Sequence, residues 1–279
     1  MLKRIITSLV AVCVLIPVLF LSGTWVLPIA IAIVSVIAVF EMLKCMGVHK
    51  KIALTAPIYL AAVAVPLMLR GIENKVDVAK IVFIFAAAYI IYVFAAIVWS
   101  HGKLHYADGM AMFIVCAYII AAMNSIIFVR DFGNGGKYIY LLIFLGAWMT
   151  DIFAYFVGVF IGKHKLIEDV SPKKTVEGSI GGIFFCALSF VIFGIVVDAF
   201  FDGNANLLFL AISGVAVSVI SQIGDLIMSV IKRHYGIKDY GKLFPGHGGV
   251  LDRFDSVLAV SLGMSAICMI ASLFGIKLI

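Results

Sequence analysis

Residues 207–231 read LLFLAISGVAVSVISQIGDLIMSVI, an apolar run that contains a single charged residue, Asp225. About 20 such residues are enough for a helix to cross the hydrocarbon core of a bilayer. Eight similar runs lie elsewhere in the chain, at about 5–21, 25–43, 53–69, 78–99, 108–129, 138–162, 180–199 and 254–276. Because backbone polar groups inside a bilayer must be paired within the segment, each run is predicted to be helical. The sequence therefore predicts an all-α integral membrane protein with about nine transmembrane helices.

The composition supports this fold class and excludes others. Of the 279 residues, 64% are hydrophobic and 13% are charged, whereas soluble domains are roughly half apolar and about a quarter charged. A soluble protein, a disordered chain and an outer-membrane barrel with alternating strands are all excluded. We predict one integrated membrane domain, in which residues 1–140 form supporting, lipid-facing spans and residues 141–279 form the catalytic core.

The basic residues predict the orientation in the membrane. If the N-terminus is placed in the cytoplasm, 15 of the 21 lysines and arginines fall in cytoplasmic loops and 6 fall outside, as the positive-inside rule requires. This distribution predicts a cytoplasmic N-terminus and an external C-terminus. It also attributes the net charge of +6 to membrane topology and not to nucleic acid binding. The two longest loops, 163–179 and 232–253, then both face the cytoplasm.

Two acidic residues inside the apolar runs, Asp151 and Asp225, are candidates for a functional site. A charge near the bilayer centre costs a few kcal/mol, so it usually faces a cavity or a partner. Asp225, Ser229 and Lys232 have the spacing i, i+4 and i+7, which places them on one face of a helix. A structural acid paired with a lysine, and an interfacial anchor at Lys232-Arg233, are the alternative interpretations. The shared polar face favours a site.

The loop that follows, residues 236–255, reads GIKDYGKLFPGHGGVLDRFD. Glycines let backbone amides approach an anion, and lysine and arginine supply charge for phosphate oxygens. The candidate phosphate-binding residues of this loop are Lys238, His247, Gly248, Gly249 and Arg253. Asp252 and Asp255 are oxygen ligands of the kind that Mg²⁺ prefers. A solvated loop would explain the charges, but it would not explain the Pro-Gly-His-Gly-Gly turn.

The other long loop contains Ser171-Pro172-Lys173-Lys174-Thr175. Ser-Pro is typical of a helix start, with proline at the first helical position, so we predict that the next helix begins there. Two lysines beside small hydroxyl residues suit a polyphosphate. A positive-inside loop without further function is the competing interpretation of this stretch.

At these residues the chain resembles the bacterial phosphatidate cytidylyltransferases, also called CDP-diacylglycerol synthases. The family signature Ser-x-apolar-Lys-Arg, Lys-Asp, Pro-x-His-Gly-Gly and Asp-Arg-x-Asp is found here between Ser229 and Asp255 with every spacing kept. The Ser-Pro-Lys-Lys-Thr-x-Glu-Gly stretch and the stretch around Asp151 also look like the family's. The close resemblance covers roughly residues 146–257.

The resemblance implies that CTP and phosphatidic acid react to give CDP-diacylglycerol and pyrophosphate. It also implies a Mg²⁺ site at Asp225 and Asp252, K⁺ as a candidate second cation, and a candidate homodimer. The implied location is the bacterial cell (inner) membrane, as a multi-pass protein in the lipid bilayer with its active site facing the cytoplasm.

The resulting hypothesis gives each candidate residue a role. Catalysis is assigned to Asp225, Ser229, Lys232, Arg233 and Asp252. Substrate binding is assigned to Ser171, Lys173, Lys174, Thr175, Lys238, His247, Gly248, Gly249 and Arg253. A supporting role is assigned to Asp151, Asp239 and Asp255. Two other functions stay open: a CTP-dependent polyprenol kinase, and a cation-coupled transporter with acidic carriers, which predicts inverted repeats that the sequence does not display.

Overall fold

The computed structural model describes residues 2–100, 104–201, 203–244, 246 and 248–279, with side chains from residue 11 onward. Within these residues the chain forms nine long helices and one short one. Their bounds are α1 Leu2–Phe20, α2 Val26–Cys45, α3 Ile52–Gly71, α4 Lys75–Trp99, α5 Tyr106–Arg130, α6 Gly136–Ile139, α7 Leu141–Ile161, α8 Val176–Phe201, α9 Leu207–His234 and α10 Leu251–Leu273.

Eight helical segments are long and apolar enough to cross a membrane, counted over the described part of the chain. They are α2, α3, α4, α5, α6 with α7, α8, α9 and α10. The remaining long helix, α1, coincides with the first predicted run, and its residues Ala11–Phe20 are apolar as well. The predicted all-α, multi-spanning fold is confirmed, and each predicted run coincides with helical structure to within a few residues.

Side chains at the helix termini explain several of these bounds. The Asn74 side chain accepts a hydrogen bond from the Val76 amide at 3.1 Å where α4 begins, and the Asn206 side chain accepts from the Phe209 amide at 3.0 Å where α9 begins. Such caps satisfy amides that have no partner within the helix. The last turn of α9 contains three basic residues, a placement that the helix dipole favours.

The α7–α8 connection contains a small antiparallel hairpin. Strand β1, Lys165–Ile167, pairs with strand β2, Ser171–Thr175. The prediction that Ser171-Pro172 begins a helix is therefore wrong, because α8 begins at Val176. Proline is tolerated in a two-stranded sheet because each strand has an unpaired edge. The cap comes later: the Thr175 hydroxyl accepts a hydrogen bond from the Gly178 amide at 3.1 Å.

The chain divides into two compact units. Unit 1 contains the residues up to Ile127 together with Asp239–Asp252, and unit 2 contains Phe128–Lys238 and Arg253–Ile279. The loop that carries most of the signature thus groups with the N-terminal helices. The acidic residues of α7 and α9 belong to unit 2.

Unit 2 is built on close contacts among α7, α8 and α9. At Gly214 of α9, an added Cβ would lie 2.7 Å from the Cα of Ala187 on α8. Small residues of this kind let membrane helices approach closely. The Thr150 hydroxyl donates to the Ser218 hydroxyl at 2.9 Å, which links α7 to α9 through a fully buried polar contact.

The C-terminal residues of unit 2 lie beside the α8–α9 connection. The Asn206 amide donates to the Leu278 carbonyl at 3.1 Å. The β1–β2 hairpin precedes the opposite end of α8, whose 26 residues span about 39 Å at 1.5 Å per residue. The hairpin and the C-terminus therefore lie at opposite ends of unit 2.

Candidate active site

Unit 2 brings three aspartates into electrostatic contact. Asp151 lies on α7, Asp225 on α9 and Asp255 on α10, and each of the three repels the other two. The side chain of Asp225 is 23% exposed, so this charge is neither fully hydrated nor fully buried. Carboxyl groups placed together within apolar helices stay charged only if cations lie nearby.

Lysine and arginine residues of unit 2 supply this positive charge. The Lys174 ammonium on β2 forms an ion pair with Oδ2 of Asp225, and its side chain is 24% exposed. Lys232 attracts Asp255, and Arg253 attracts Asp151. Two of the predicted substrate-binding residues and one predicted catalytic residue therefore interact with the acids of unit 2.

Serine and glycine residues fix the geometry of the acidic cluster. The Ser256 hydroxyl donates to Oδ2 of Asp151 at 3.1 Å, and the Ser256 amide donates to Oδ1 of Asp255 at 2.9 Å. Next to Asp225, Gly224 packs so closely on Ala259 that an added Cβ would overlap its methyl group. Helices α7, α9 and α10 are thus joined around the three carboxylates.

The polar stripe of α9 has two parts. Its first part is structural, because Ser218 bonds Thr150 and the Gln222 side chain donates to the Ser179 carbonyl at 3.3 Å. Its second part carries the predicted site residues. Ser229 is buried, Lys232 is partly exposed and Arg233 is exposed at the end of the helix.

The β1–β2 hairpin presents its residues unequally. Ser171 is partly exposed and Lys173 is exposed, whereas Lys174 turns to Asp225. Thr175, predicted to bind substrate, uses its hydroxyl oxygen to cap α8. Glu177 holds the segment that precedes β1. Its carboxylate accepts hydrogen bonds from the amides of residues 163 and 164 at 3.1–3.3 Å.

In unit 1, the Asp252 carboxylate organises residues 239–252, which we call the signature loop. Its Oδ2 accepts hydrogen bonds from the amides of Tyr240 at 2.8 Å and Gly249 at 2.9 Å. Gly246 and Gly248 have φ values of 82° and 88°, which favour glycine. The Gly249 amide, interpreted from sequence as a phosphate donor, is thus directed at a carboxylate of the protein itself.

A second carboxylate, Glu41 of α2, also binds this loop, and the sequence analysis missed it. Its Oε1 accepts from the Val250 amide at 3.0 Å and its Oε2 accepts from the Leu251 amide at 2.9 Å. The residue is 4% exposed. The available signal was an acidic residue inside the apolar run 25–43, where only Asp151 and Asp225 had been singled out from their own runs.

The remaining predicted residues are on the surface or outside the described part of the chain. Lys238, Asp239 and Arg253 are exposed. His247 lies outside the described residues, so its predicted contact with phosphate stays a prediction.

The predicted metal ligands belong to different units, Asp225 to unit 2 and Asp252 to unit 1. No three His, Cys, Asp or Glu side chains form a ready-made metal site among the residues that the structure describes. Joint metal binding by the two aspartates stays a prediction.

The fold and these charged clusters define a multi-spanning helical membrane protein whose polar loops have the residue types of a phosphate-handling enzyme. Comparison with known proteins specifies the family. The model of the Cytidylyltransferase family matches residues 2–271. The chain belongs to this family and is therefore a nucleotidyltransferase.

Curated relatives match over almost the whole length of both chains. The phosphatidate cytidylyltransferase of Staphylococcus haemolyticus (strain JCSC1435) is 33% identical over 257 residues, which cover 92% of this chain and 95% of the relative. The proteins of the same name from Staphylococcus epidermidis (strain ATCC 12228 / FDA PCI 1200) and Staphylococcus aureus (strain COL) are 32% and 34% identical over the same shares.

Proposed function

We propose that this protein is a phosphatidate cytidylyltransferase that converts CTP and phosphatidic acid into CDP-diacylglycerol and pyrophosphate for phospholipid biosynthesis. The names of relatives at 32–34% identity support this substrate pair. The structural observation that carries the proposal is the Lys174–Asp225 ion pair, surrounded by Asp151 and Asp255 on neighbouring helices. Such a cluster of cations and carboxylates, built on apolar helices, suits a phosphorylated substrate with an apolar tail.

The reaction requires orientation and charge stabilisation more than a strong base. A phosphate oxygen of the lipid, already an anion, attacks the α-phosphorus of CTP, and a new P–O bond forms. The bond from the α-phosphorus to the bridging oxygen breaks, and pyrophosphate leaves with the electron pair. Catalysis of this type rests mainly on positioning and on stabilising charge on the transferring group.

Unit 2 supplies residues for these tasks. Lys174 and Lys232 would neutralise charge on the nucleotide and lipid phosphates, with Lys173 and Arg233 at the exposed margin. Ser229 would hydrogen-bond a phosphate oxygen. In unit 1, Asp252 holds the signature loop through two backbone amides.

The carboxylate chemistry of the chain fits a hard cation. The three aspartates of unit 2 are oxygen ligands of the kind that Mg²⁺ prefers, and a cation bound near them would reduce their mutual repulsion. We propose that Mg²⁺ binds Asp225, as the resemblance to the family implies; the implied binding of Mg²⁺ by Asp252 and K⁺ as a candidate second cation stay predictions. When bound, Mg²⁺ would neutralise the charge of the triphosphate.

The cellular arrangement is part of the same proposal. The basic loops would place the α7–α8 and α9–α10 connections in the cytoplasm, where CTP is available. The protein would be a multi-pass component of the bacterial inner membrane, with a homodimer as its candidate assembly.

A lipid-product assay tests the proposed function. The detergent-purified protein is incubated with Mg²⁺, phosphatidic acid and CTP labelled at the α-phosphorus, and the lipids are separated. We expect label in a cytidine-containing lipid and an equimolar release of pyrophosphate. A parallel reaction contains γ-labelled CTP and a polyprenol; label in the polyprenol, with no cytidine-containing lipid in the first reaction, would contradict the proposal and would indicate the kinase. The absence of any transfer would favour the transporter.

A further inference from the structure

We propose that Glu41, in the N-terminal half of the chain, is a positioning residue that holds the signature loop in its reactive shape. The signature loop, residues 239–252, belongs to the same unit as α2. The inference rests on the proposed function, because it gives Glu41 a role in the cytidylyl transfer. It also gives the N-terminal spans a task beyond support.

The hydrogen bonds of Glu41 are those of an ionised carboxylate. Each of its two oxygens accepts from a different backbone amide, Val250 at 3.0 Å and Leu251 at 2.9 Å. Backbone amides only donate, so both oxygens must act as acceptors. Leu251 is the first residue of α10, and the N-terminus of a helix favours a negative charge. Glu41 therefore occupies a position that an anion would otherwise take.

Two glycines make this approach feasible. A Cβ added to Gly241 would lie 2.7 Å from Cδ of Glu41, and one added to Gly249 would lie 2.5 Å from the same atom. Any other residue at either position would push the carboxylate away. Gly241 lies near the start of the loop and Gly249 near its end, so the Glu41 carboxylate packs against both ends of the loop.

Together, Glu41 and Asp252 accept hydrogen bonds from four backbone amides of the loop. Asp252 takes the amides of residues 240 and 249, and Glu41 takes those of residues 250 and 251. The position of the Asp252 side chain thus depends on the same short segment that Glu41 fixes. If Glu41 no longer accepts these amides, residues 249–251 can shift and carry Asp252 with them.

The test compares the wild-type enzyme with Glu41→Gln and Glu41→Asp. Glutamine has the same shape, but its NH₂ group would face one of the two amides, whereas aspartate keeps two acceptor oxygens on a shorter stem. Glu73→Gln, at an exposed residue, is the matched control. Because a hydrogen bond to a charged group is lost, we expect kcat to fall roughly 10- to 100-fold in Glu41→Gln. We expect Glu41→Asp to retain more activity and the control to behave as wild type.

Hydrogen–deuterium exchange separates positioning from general stability. We expect Glu41→Gln to raise exchange in peptides covering residues 239–252, with the apparent melting temperature and the exchange of the spans close to wild type. Unchanged kcat in Glu41→Gln would overturn the inference. Activity lost only in proportion to folded protein, with equal loss in both variants, would also overturn it, since that result describes a purely structural residue.

A second variant approaches the same contact from the loop. Gly241→Ala leaves the carboxylate in the chain but displaces it, so its kinetic defect should resemble that of Glu41→Gln. Wild-type activity in Gly241→Ala would contradict the inference. A wild-type enzyme that forms no cytidine-containing lipid would instead contradict the proposed function itself, and the two failures are thereby distinguished.

Discussion

Among single residues, Asp225 is the carboxylate that interacts with both the positive and the negative side chains of unit 2. It pairs with Lys174, and it lies within electrostatic reach of Asp151 and Asp255. A carboxylate inside an apolar helix carries a desolvation cost that only its partners offset. The presence of Asp225 in an apolar helix is therefore better explained by a role in binding charged substrate than by a contribution to stability.

Replacing Asp225 with asparagine should abolish most of the turnover and leave the fold intact. Asparagine keeps the size of the side chain but removes the charge, and loss of a single electrostatic stabiliser lowers kcat by about 100-fold or more. The measurement is the rate of labelled CDP-diacylglycerol formation by purified protein, normalised to folded protein. Asp77→Asn, on α4 and with a side chain that is 49% exposed, is the control. A fully active Asp225→Asn enzyme would refute the role assigned to this residue.

Lys174→Gln should weaken the enzyme in a different way. The change removes the cation that pairs with Asp225 and a charge for the nucleotide phosphates. We expect kcat/KM for CTP to fall roughly tenfold, because a charge-assisted hydrogen bond is lost at a partly exposed site. Steady-state kinetics with varied CTP measure the effect. Lys163→Gln, whose side chain is exposed, should leave kcat/KM within about twofold of wild type; an equal loss in both variants would mean that general positive charge, and not Lys174, matters.

Sequence reasoning singled out Asp151 and Asp225, which the structure brings together, but it did not identify what the loop amides bind. Asp225 and Asp151 stand out because each is the single charged residue in the interior of a long apolar run. Glu41 was missed because it lies near the end of its run, where a charged residue is unremarkable. The sequence pattern also cannot show that the Gly249 amide is directed at Asp252, since the partner of an amide depends on how the chain folds back.

At the scale of elements, the helices were predictable and the hairpin was not. Apolar runs of about 20 residues specify membrane helices with little ambiguity. The strand Ser171–Thr175 is short, polar and proline-containing, so its sequence suggests a helix start instead. The pairing of β2 with β1 could not be predicted, because neither strand has the alternating apolar pattern that indicates a β-strand.

The close contact of α9 with α10 predicts that Gly224→Ala is destabilising. The added methyl group would overlap Ala259 and would force the helices apart beside Asp225. Overpacking of this kind costs about 1–3 kcal/mol, so the apparent melting temperature in detergent and the lipid-product activity should both fall. Gly263→Ala on α10 is the comparison, because its methyl group would meet the side chain of Ile220, which can move. A Gly224→Ala protein as stable as Gly263→Ala would refute this packing argument.

At the scale of the whole molecule, composition already specified the architecture. A chain that is 64% hydrophobic has material for about nine spans, and the helices are found where the runs are. Composition did not specify that residues 239–252 would group with the N-terminal helices while Asp225 belongs to the other unit. That grouping depends on contacts such as Glu41 with Val250, between residues distant in sequence.

The orientation of the molecule in the membrane leads to the last prediction. In unit 2, the Leu278 carbonyl binds the Asn206 amide beside the α8–α9 connection, about one helix length from the β1–β2 hairpin. The excess of basic residues in the long loops predicts that the hairpin lies in the cytoplasm, so we expect the C-terminus to be external.

The measurement introduces one exposed cysteine at a time into a protein whose Cys13 and Cys45 are replaced by serine and whose remaining cysteines, Cys116, Cys186 and Cys268, are buried. A membrane-impermeant maleimide added to intact cells should label Lys277→Cys and spare Lys163→Cys, and inside-out vesicles should show the reverse. Both positions are exposed, so a difference in labelling reports sidedness and not burial. Labelling of Lys163→Cys alone in intact cells would show that the topology is the reverse of the predicted one. The β1–β2 hairpin with Lys174 would then lie on the side of the membrane that lacks CTP.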